Sequence, residues 1–442
     1  MSINHANNRP LVNVCFVTLG CAKNEVDTRH MKQRLMSAGY SICEDTSLAD
    51  VLIVNTCTFI SEATEESIDT IFGIIGPDKT GFDGDFHGKL VIAGCMPSRY
   101  GIDLHNEFAE ADAFLPCADE ENVVSVIDEL MGIQEKEPVG LSIVDEAIPV
   151  SAYVKISDGC NRFCSFCVIP YIRGRYHSFT FEQIDSEVLQ LIGRGVKEIV
   201  LIAQDTGIWG SDFKEKDSLA NLLSRLASEY PQTWFRVMYT EPEGVTEKLL
   251  DVMLENQNIC RYLDIPIQHV SPIVLKAMRR SGSSEKFDDM VKHIRSRIPD
   301  ITLRTTLIVG FPGESEEEFD GLCDFVADGP FDYVGVFPYS REEGTLAYDL
   351  PDQIDEDTKI ERARVIRDIA DNVSSAKIAA NIDKVLDVLV EGTEEDGQIY
   401  GRCMCQAPEV DGVTYLASGN IGDVLKVRIT DTVMYEMEGD VL

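Results

Sequence analysis

Short apolar runs alternate with segments of helical periodicity over residues 11–135. The runs at 11–19, 51–55 and 90–93 are rich in Val, Leu and Ile, and each one ends in a short polar turn. After the first turn, apolar residues recur at helical spacing through Met31 and Leu35. This alternation predicts a doubly wound α/β domain, in which ligands gather beyond the carboxyl ends of the strands.

A second series of alternations covers residues 146–375, after a stretch near 131–149 that lacks periodicity and is predicted to be a linker. Its strand candidates lie at 153–156, 198–203, 234–239, 262–267, 302–309 and 333–337. Helical patterns separate them, and the helix predicted at 181–192 carries Ile184, Val188, Leu189 and Ile192 on one face. Six strands with helical crossovers predict a central partial (β/α)6 barrel with its working residues at the C-terminal ends of the strands.

Residues 376–442 change to short β-rich runs separated by glycines and acidic turns. The runs lie at 385–390, 399–403, 413–416 and 424–429. They predict a small all-β barrel. Between residues 383 and 442 only four residues are Lys or Arg and thirteen are Asp or Glu. A module that grips RNA is expected to be basic, whereas one that docks on a basic protein can be acidic.

The whole chain is also acidic, with a formal net charge of -37. Such a surface repels phosphate backbones and attracts basic partners, such as ribosomal proteins, although it is equally compatible with a solubility adaptation. The first ten residues lack the apolar core of a secretion signal, and no apolar run approaches membrane-spanning length. We therefore expect a cytoplasmic protein without membrane contact, in which the thirteen cysteines are better explained by metal ligation than by disulfides.

Three of these cysteines, Cys160, Cys164 and Cys167, follow the first strand of the predicted barrel with C-x-x-x-C-x-x-C spacing. Three thiolates can hold a four-iron, four-sulfur cluster and leave one iron open to another ligand. A structural zinc site would need a fourth Cys or His, but the closest following His is His177 and no second C-x-x-C occurs. The spacing therefore favours an iron-sulfur cluster.

Three further cysteines, Cys21, Cys57 and Cys95, each follow a predicted strand of the N-terminal domain. Thiols from three neighbouring strand ends could converge on a second iron-sulfur cluster, again one ligand short of saturation. Cys117 follows another short apolar run and is a rival or fourth ligand.

Polar residues also end strands of the predicted barrel. Gln204 follows the second strand, Gln268 follows the fourth and Arg304 lies within the fifth. All three are predicted to face a cofactor bound at the Cys160 loop, although a single polar residue at a strand end is more often a cap or a salt-bridge partner.

Together these motifs resemble the methylthiotransferase family of radical S-adenosylmethionine (SAM) enzymes, over nearly the whole chain from Val12. The resemblance is carried by Leu19-Gly20-Cys21-Ala22-Lys23-Asn24, Asn55-Thr56-Cys57, Gly94-Cys95, Gly159-Cys160 through Cys167-Val168-Ile169-Pro170, Arg173-Gly174-Arg175 and a terminal segment similar to a TRAM domain. Within this family, segments 202–206 and 263–269 are similar to the corresponding segments of the branch that modifies an aspartate of small-subunit ribosomal protein twelve. The other branch modifies an adenosine in tRNA.

The resemblance implies two 4Fe-4S clusters and SAM as cofactors. Cys160, Cys164 and Cys167 would ligate the cluster that binds SAM, with Phe166 beside the adenine. One electron from a donor protein would cleave SAM, and the resulting deoxyadenosyl radical would abstract a hydrogen from the β-carbon of the target aspartate. No catalytic residue is implied beyond the cluster ligands.

The second cluster, on Cys21, Cys57 and Cys95, would hold or supply the sulfur, and a second SAM would methylate it. The implied partner is ribosomal protein twelve, free or within the subunit, with no stable nucleic-acid binding apart from contact with the ribosome. Two alternatives stay open: a tRNA methylthiotransferase and a non-catalytic iron-sulfur carrier. Only an enzyme would form deoxyadenosine when it is reduced in the presence of SAM.

Overall fold

The computed structural model describes residues 12–75, 86–133 and 149–442, so most of the predicted linker lies outside the described residues. The chain divides into two units. The first contains the described residues up to 133 together with Gly159–Asn161 and Cys167–Tyr176. The second contains the described residues from 149 to Asp158, then Arg162–Phe166 and His177–Leu442.

The first unit is built on a five-stranded parallel sheet with strand order β2-β1-β3-β4-β5. Its strands are β1 Asn13–Thr18, β2 Ser41–Cys43, β3 Val51–Thr56, β4 Lys89–Gly94 and β5 Ala113–Pro116. Every residue of the central strand β3 is buried, as expected for a parallel strand that is covered on both faces. The predicted strands at 11–19, 51–55 and 90–93 are therefore confirmed within one or two residues at their ends.

Helices cover both faces of this sheet, which confirms the predicted doubly wound α/β domain. They are α1 Ala22–Ser37, α2 Ser61–Ile75, α3 Cys95–Tyr100, α4 Leu104–Glu107 and α5 Val123–Leu130, and α6 Ile169–Ile172 also belongs to this unit. Met31 of α1 and Ile127 of α5 share one buried cluster. Ile71 of α2 and Met96 of α3 belong to the cluster on the other face.

The second unit contains a six-stranded sheet whose order, β13-β12-β11-β10-β9-β6, follows the sequence, and its pairings are parallel. The strands of this part of the chain are β6 Ser151–Lys155, β7 Ser157–Asp158, β8 His177–Ser178, β9 Glu198–Ile202, β10 Trp234–Val237, β11 Ile259–Asp264, β12 Thr302–Val309 and β13 Tyr333–Pro338. The sheet does not close on itself. The predicted partial (β/α)6 barrel is confirmed.

Helices connect these strands and form a continuous core with them. They are α7 Phe181–Gly193, α8 Leu219–Glu229, α9 Glu247–Glu255, α10 Pro272–Ala277, α11 Ser284–Arg297, α12 Glu316–Ala327 and α13 Glu356–Ala379. The apolar face predicted for α7 is wrong at Leu189, which is 57% exposed. Leu191 is buried instead, because it lies seven positions after Ile184 and so shares its helix face.

The C-terminal strands form a closed barrel with order β14-β15-β16-β18-β17. They are β14 Val385–Thr393, β15 Ile399–Cys403, β16 Thr414–Leu416, β17 Val424–Val433 and β18 Glu436–Val441. The predicted small all-β barrel is confirmed, with one strand more than the sequence indicated. The additional strand is β18, in which only Met437 and Gly439 are buried.

A buried ion network joins the closed barrel to the parallel sheet of the same unit. Glu198, the first residue of β9, pairs with Arg236 Nε at 2.8 Å and with Arg402 Nη2 at 2.5 Å. Arg402 also pairs with Glu391 of β14 at 2.6 Å. Burial would raise the pKa of Glu198, but the two arginines lower it to about 2. The network satisfies charges that would otherwise be costly to bury.

Among the described residues, no helix combines the length and the apolar character needed to cross a membrane.

Candidate metal centres

The loop that carries Cys160, Cys164 and Cys167 is closed at its base by two short strands. In β7 and β8, Ser157 pairs with Ser178 and Asp158 pairs with His177. Gly159 adopts a φ of +71°, and a Cβ on it would lie 2.3 Å from the carbonyl oxygen of Arg175. Only glycine fits this position, so the glycine before the first cysteine is explained by the shape of the loop.

The middle of the loop, Arg162–Phe166, is held by one side chain and two backbone carbonyls of the second unit. Arg162 Nε donates to Asp205 Oδ2 at 2.8 Å, and Asp205 lies three residues after the end of β9. Ser165 donates its N–H to the carbonyl of Met278 at 3.1 Å and its hydroxyl to the carbonyl of Ala277 at 2.7 Å. These contacts place Cys164 beyond the carboxyl ends of the strands, where the sequence predicted a site.

Cys164 lies next to a buried cation. Arg280 Nη1 is 3.8 Å from Cys164 Sγ, and the same guanidinium forms an ion pair with Glu241 and donates to the carbonyl of Pro266 at 2.7 Å. Burial raises the pKa of the Cys164 thiol, and Arg280 opposes that rise. The guanidinium therefore favours the thiolate, which is the form that binds metal.

The polar residues predicted to face a cofactor lie in different surroundings. Gln204 Nε2 donates to Asp158 Oδ1 at 3.0 Å, and its Oε1 is buried without a hydrogen-bond partner among the described residues. Gln268 is half-buried with a φ of +70°. Arg304 is the third residue of β12 and hydrogen-bonds Asp264 Oδ1 at 3.3 Å.

The aromatic residue of the same prediction, Phe166, is half-buried and packs against the core of the second unit. Phe166 thus lies within the cysteine loop, and Gln204 contacts the base of the loop through Asp158. The cofactor-binding roles of Phe166, Gln204, Gln268 and Arg304 all stay predictions.

The second set of cysteines lies at the strand ends of the first unit, where the sequence predicted it. Cys57 follows β3 directly, Cys95 is the first residue of α3, and Cys21 precedes α1. Cys57 and Cys95 are buried, whereas Cys21 is exposed. A Cβ on Gly20, whose φ is +95°, would lie 2.4 Å from Cys57 Cβ. The absence of a side chain at Gly20 therefore lets the loop of Cys21 approach Cys57.

Asn24 connects the loops that carry these cysteines. It is fully buried, and its Nδ2 donates to the carbonyls of Leu19 at 2.9 Å and Thr56 at 2.8 Å. Its Oδ1 lies 3.9 Å from Cys21 Sγ and 3.9 Å from Cys95 Sγ. One amide thus fixes the spacing of the strand ends that bear Cys21, Cys57 and Cys95.

The thiols of Cys57, Cys95 and Cys117 act on one another's pKa values. The hydrogen bond with Cys95 lowers the pKa of Cys57, against the effect of burial. For Cys95, the hydrogen bond with Cys117 lowers the pKa, but the bond with Cys57 and burial outweigh it and raise the pKa to about 12. The hydrogen bond with Cys95, followed by burial, raises the pKa of Cys117. A positive charge nearby would favour the thiolate form of these cysteines.

Arg173 supplies such a charge. Its guanidinium, 2% exposed, lies 2.8 Å from Asp27 Oδ2, 3.0 Å from Asn24 Oδ1 and 4.0 Å from Cys95 Sγ. The residue follows α6, whose Ile172 packs against Cys95 together with Val168. Sequence reasoning quoted Arg173 and Asn24 within motifs but gave them no role, because their contacts join residues about 150 positions apart.

The donors of the first unit are of the type that an iron-sulfur cluster takes. Among the residues that the structure describes, no three Cys, His, Asp or Glu side chains are arranged to hold one ion. A four-iron cluster is held by Cys thiolates, and three of them leave one iron open to another ligand. Cys21, Cys57 and Cys95, gathered around Asn24 with one buried cation beside them, match that requirement in donor type and number.

Comparison with known proteins identifies all three parts of the chain. Family models match residues 13–116 (uncharacterized protein family UPF0004), residues 154–326 (radical SAM superfamily) and residues 382–442 (TRAM domain). Two solved structures share the fold at 14% identity: the radical SAM methyltransferase TsrM from Kitasatospora setae and the cobalamin-dependent radical enzyme OxsB. For TsrM the TM-score is 0.55, and the match covers 74% of this chain and 72% of the TsrM chain. For OxsB the TM-score is 0.50, and the match covers 81% of this chain and 56% of the OxsB chain.

Curated relatives match over nearly the full length. The "Ribosomal protein uS12 methylthiotransferase RimO" of Geobacter sulfurreducens is 39% identical over 97% of this chain and 98% of its own. The protein of the same name from Clostridioides difficile is 40% identical over 98% of this chain and 99% of its own length. The one from Thermotoga maritima is 40% identical over 96% of this chain and 98% of its own length.

The radical SAM model and the curated relatives together define a radical SAM transferase, which implies an iron-sulfur cluster and SAM as cofactors. The relatives that match over nearly the full chain are named methylthiotransferases, so the transferred group is methylthio. Within that class the chain belongs to the RimO family of methylthiotransferases.

Proposed function

We propose that this chain inserts a methylthio group at the β-carbon of an aspartate in small-subunit ribosomal protein S12. The observation that carries the proposal is the presence of two cysteine triads, each one ligand short of a four-iron cluster. They occur in a chain that matches relatives named for this reaction over 97% of its length. One triad is Cys160, Cys164 and Cys167, and the other is Cys21, Cys57 and Cys95.

Each triad would hold one cluster. When bound, the clusters and SAM supply the radical and the sulfur that ordinary side chains cannot provide. The protein contributes position and charge: Arg162 and Ser165 fix the loop of the first triad, Arg280 favours the thiolate of Cys164, and Arg173 offsets negative charge beside Cys95. The electron comes from a separate donor protein in this proposal.

For SAM we propose contacts from Phe166, Gln204 and Gln268. The buried Oε1 of Gln204 lacks a hydrogen-bond partner among the described residues and could accept from the ligand. Arg304 is paired with Asp264 and lies 3.8 Å from Asp411 of the C-terminal barrel. Arg304 therefore forms contacts with carboxylates where the C-terminal barrel meets the sheet. A contact between Arg304 and SAM stays a prediction.

The acidic C-terminal barrel supports a protein substrate over tRNA. Phosphate groups would meet thirteen carboxylates and four basic residues between positions 383 and 442, and proteins that bind nucleic acid normally present a basic surface to it. Ribosomal protein S12, as a basic partner, suits this charge.

The test is an anaerobic reaction with SAM, a reductant and one of two substrates: a peptide that carries the aspartate loop of S12, or tRNA. The proposal predicts that the peptide gains the mass of one methylthio group on its aspartate and that tRNA is unchanged. Modification of tRNA with an unchanged peptide would overturn the choice of substrate. The absence of both products and of deoxyadenosine, in a preparation with verified clusters, would favour the iron-sulfur carrier.

A further inference from the structure

A cavity of about 320 Å³ lies where the closed C-terminal barrel meets β12 and β13 of the parallel sheet, within the second unit. The sheet contributes Arg304 and Tyr333 to its lining. The barrel contributes Glu409, Asp411, Tyr435 and Glu436. None of these barrel residues is a cluster ligand or a SAM contact in the function proposed above.

One wall residue is a buried carboxylate with an unused acceptor. The side chain of Asp411 is 0% exposed. Its Oδ2 accepts from the hydroxyl of Tyr262 at 2.7 Å and from the N–H of Ala407 at 2.8 Å. Its Oδ1 has no hydrogen-bond partner among the described residues, and Arg304 Nε is 3.8 Å away. A buried acceptor of this kind is costly unless a ligand or a water supplies a donor.

The charges around the cavity favour a cationic ligand. Three carboxylates line it, and the single guanidinium in the wall, Arg304, is already hydrogen-bonded to the buried Asp264. The surrounding barrel is also acidic, which raises the local concentration of cations. Glu409 and Glu436 are exposed at the rim, where their carboxylates can meet a ligand that enters from solvent.

Two aromatic rings favour a flat cation over a spherical one. Tyr333 and Tyr435 are stacked, with ring centroids 6.1 Å apart and an interplanar angle of 23°. The hydroxyl of Tyr435 donates to Asp371 Oδ1 at 2.6 Å, which fixes the ring. A guanidinium can lie against an aromatic face and at the same time direct several N–H donors to carboxylates.

We propose that this cavity binds the guanidinium group of an arginine. Asp411 Oδ1 accepts a hydrogen bond from inside, Glu409 and Glu436 accept at the rim, and Tyr435 packs against the plane of the cation. The proposal is independent of the methylthio transfer, because it rests only on residues around the cavity. The same chemistry is presented by an arginine residue of a protein partner and by free arginine.

The test measures binding of N-acetyl-arginine amide to the full-length chain by calorimetry, with N-acetyl-citrulline amide as the uncharged analogue of the same shape. The double variant Glu409→Gln, Glu436→Gln removes two carboxylates from the rim. The matched control, Glu394→Gln, Glu395→Gln, removes two exposed carboxylates of the same barrel that do not line the cavity.

We expect saturable binding of the arginine compound to the wild type and to the control, about tenfold weaker binding to the rim variant, and no binding of the citrulline compound. Equal binding of both compounds, an equal loss in both variants, or no saturable binding would overturn the proposal. Free arginine, measured in parallel, identifies the source: tighter binding of the amide assigns the site to a residue within a protein, and tighter binding of free arginine assigns it to the amino acid.

Discussion

Arg173 and Asp27 form an ion pair of 2.8 Å in which the side chains are 2% and 0% exposed. The pair lies beside Cys95, whose Sγ is 4.0 Å from Arg173 Nη2. A buried pair contributes little net stability, but the loss of one partner leaves the other charge uncompensated. The arrangement therefore links the charge balance of the first unit to the cysteine site.

Replacement of Arg173 by Met tests this link. Since Asp27 would remain as a buried and unpaired carboxylate, we expect a loss of about 3 to 5 kcal/mol in the free energy of unfolding and a lower iron content after reconstitution. Urea unfolding and iron analysis provide the two measurements. The control is Arg364→Met, which removes an arginine from an exposed ion pair and should leave both quantities essentially unchanged. Equal behaviour of the two variants would show that the buried pair has no special role.

Gly20→Ala tests whether the close approach of the Cys21 loop to Cys57 is required. The added Cβ would lie 2.4 Å from Cys57 Cβ and 2.8 Å from its Sγ, at a φ of +95°. We expect the variant to lose the iron of the second triad and to unfold more easily, by about 1 to 2 kcal/mol for the backbone strain alone.

The control for Gly20 is Gly101→Ala. Gly101 also has a positive φ, +54°, but a Cβ there would meet nothing within 4 Å. The substitution Gly101→Ala should therefore cause backbone strain without loss of iron. If Gly20→Ala retained the same iron as Gly101→Ala, the steric argument would fail.

We expect the buried carboxyl of Asp411 to make the free energy of unfolding depend on pH. Burial raises the pKa of its carboxyl from 3.8 to about 6, although Arg304 opposes the shift. The folded state holds the proton of Asp411 more tightly than the unfolded state does. The resulting contribution to the free energy of unfolding is fully present below pH 4 and is lost as the pH rises through 6. Arg304, Tyr262 and Arg236 also act on this pKa, and each of them lowers it.

The variant Asp411→Asn removes this titration. Relative to the wild type, its free energy of unfolding should increase between pH 4 and pH 7 by up to about 3 kcal/mol, since each pKa unit corresponds to about 1.4 kcal/mol. Asp396→Asn, an exposed substitution in the same barrel, should show no such trend. A constant difference between Asp411→Asn and the wild type at every pH would contradict the assigned shift.

Local patterns in the sequence predicted most of the fold. Val51 to Asn55 and the other buried strands appear as unbroken apolar runs, and parallel topology brings their carboxyl ends to one edge of the sheet. For this reason the positions of Cys57 and Cys95 after β3 and β4 followed from the sequence. β18 was missed because only two of its six residues are buried, so its pattern carries little signal.

Contacts between distant residues could not be predicted in the same way. Arg402 and Glu198 are 204 positions apart, and nothing in either local segment indicates that they pair. Asn24 and Arg173 show the same limit within the cysteine site. Such partners are fixed by tertiary packing, which periodicity and propensity do not encode.

The division of labour between the two triads is the central claim, and single cysteine variants test it most directly. In an anaerobic reaction with SAM, a reductant and the S12 peptide, deoxyadenosine and methylthiolated peptide are measured together for Cys21→Ala and Cys164→Ala. Cys323→Ala, a half-buried cysteine on α12, is the control and should retain both products.

We predict that Cys164→Ala forms neither product, because it lacks a ligand of the cluster that binds SAM. Cys21→Ala should still form deoxyadenosine but no methylthiolated peptide, because only the sulfur-supplying site has lost a ligand. Methylthiolated peptide from Cys21→Ala would contradict the account.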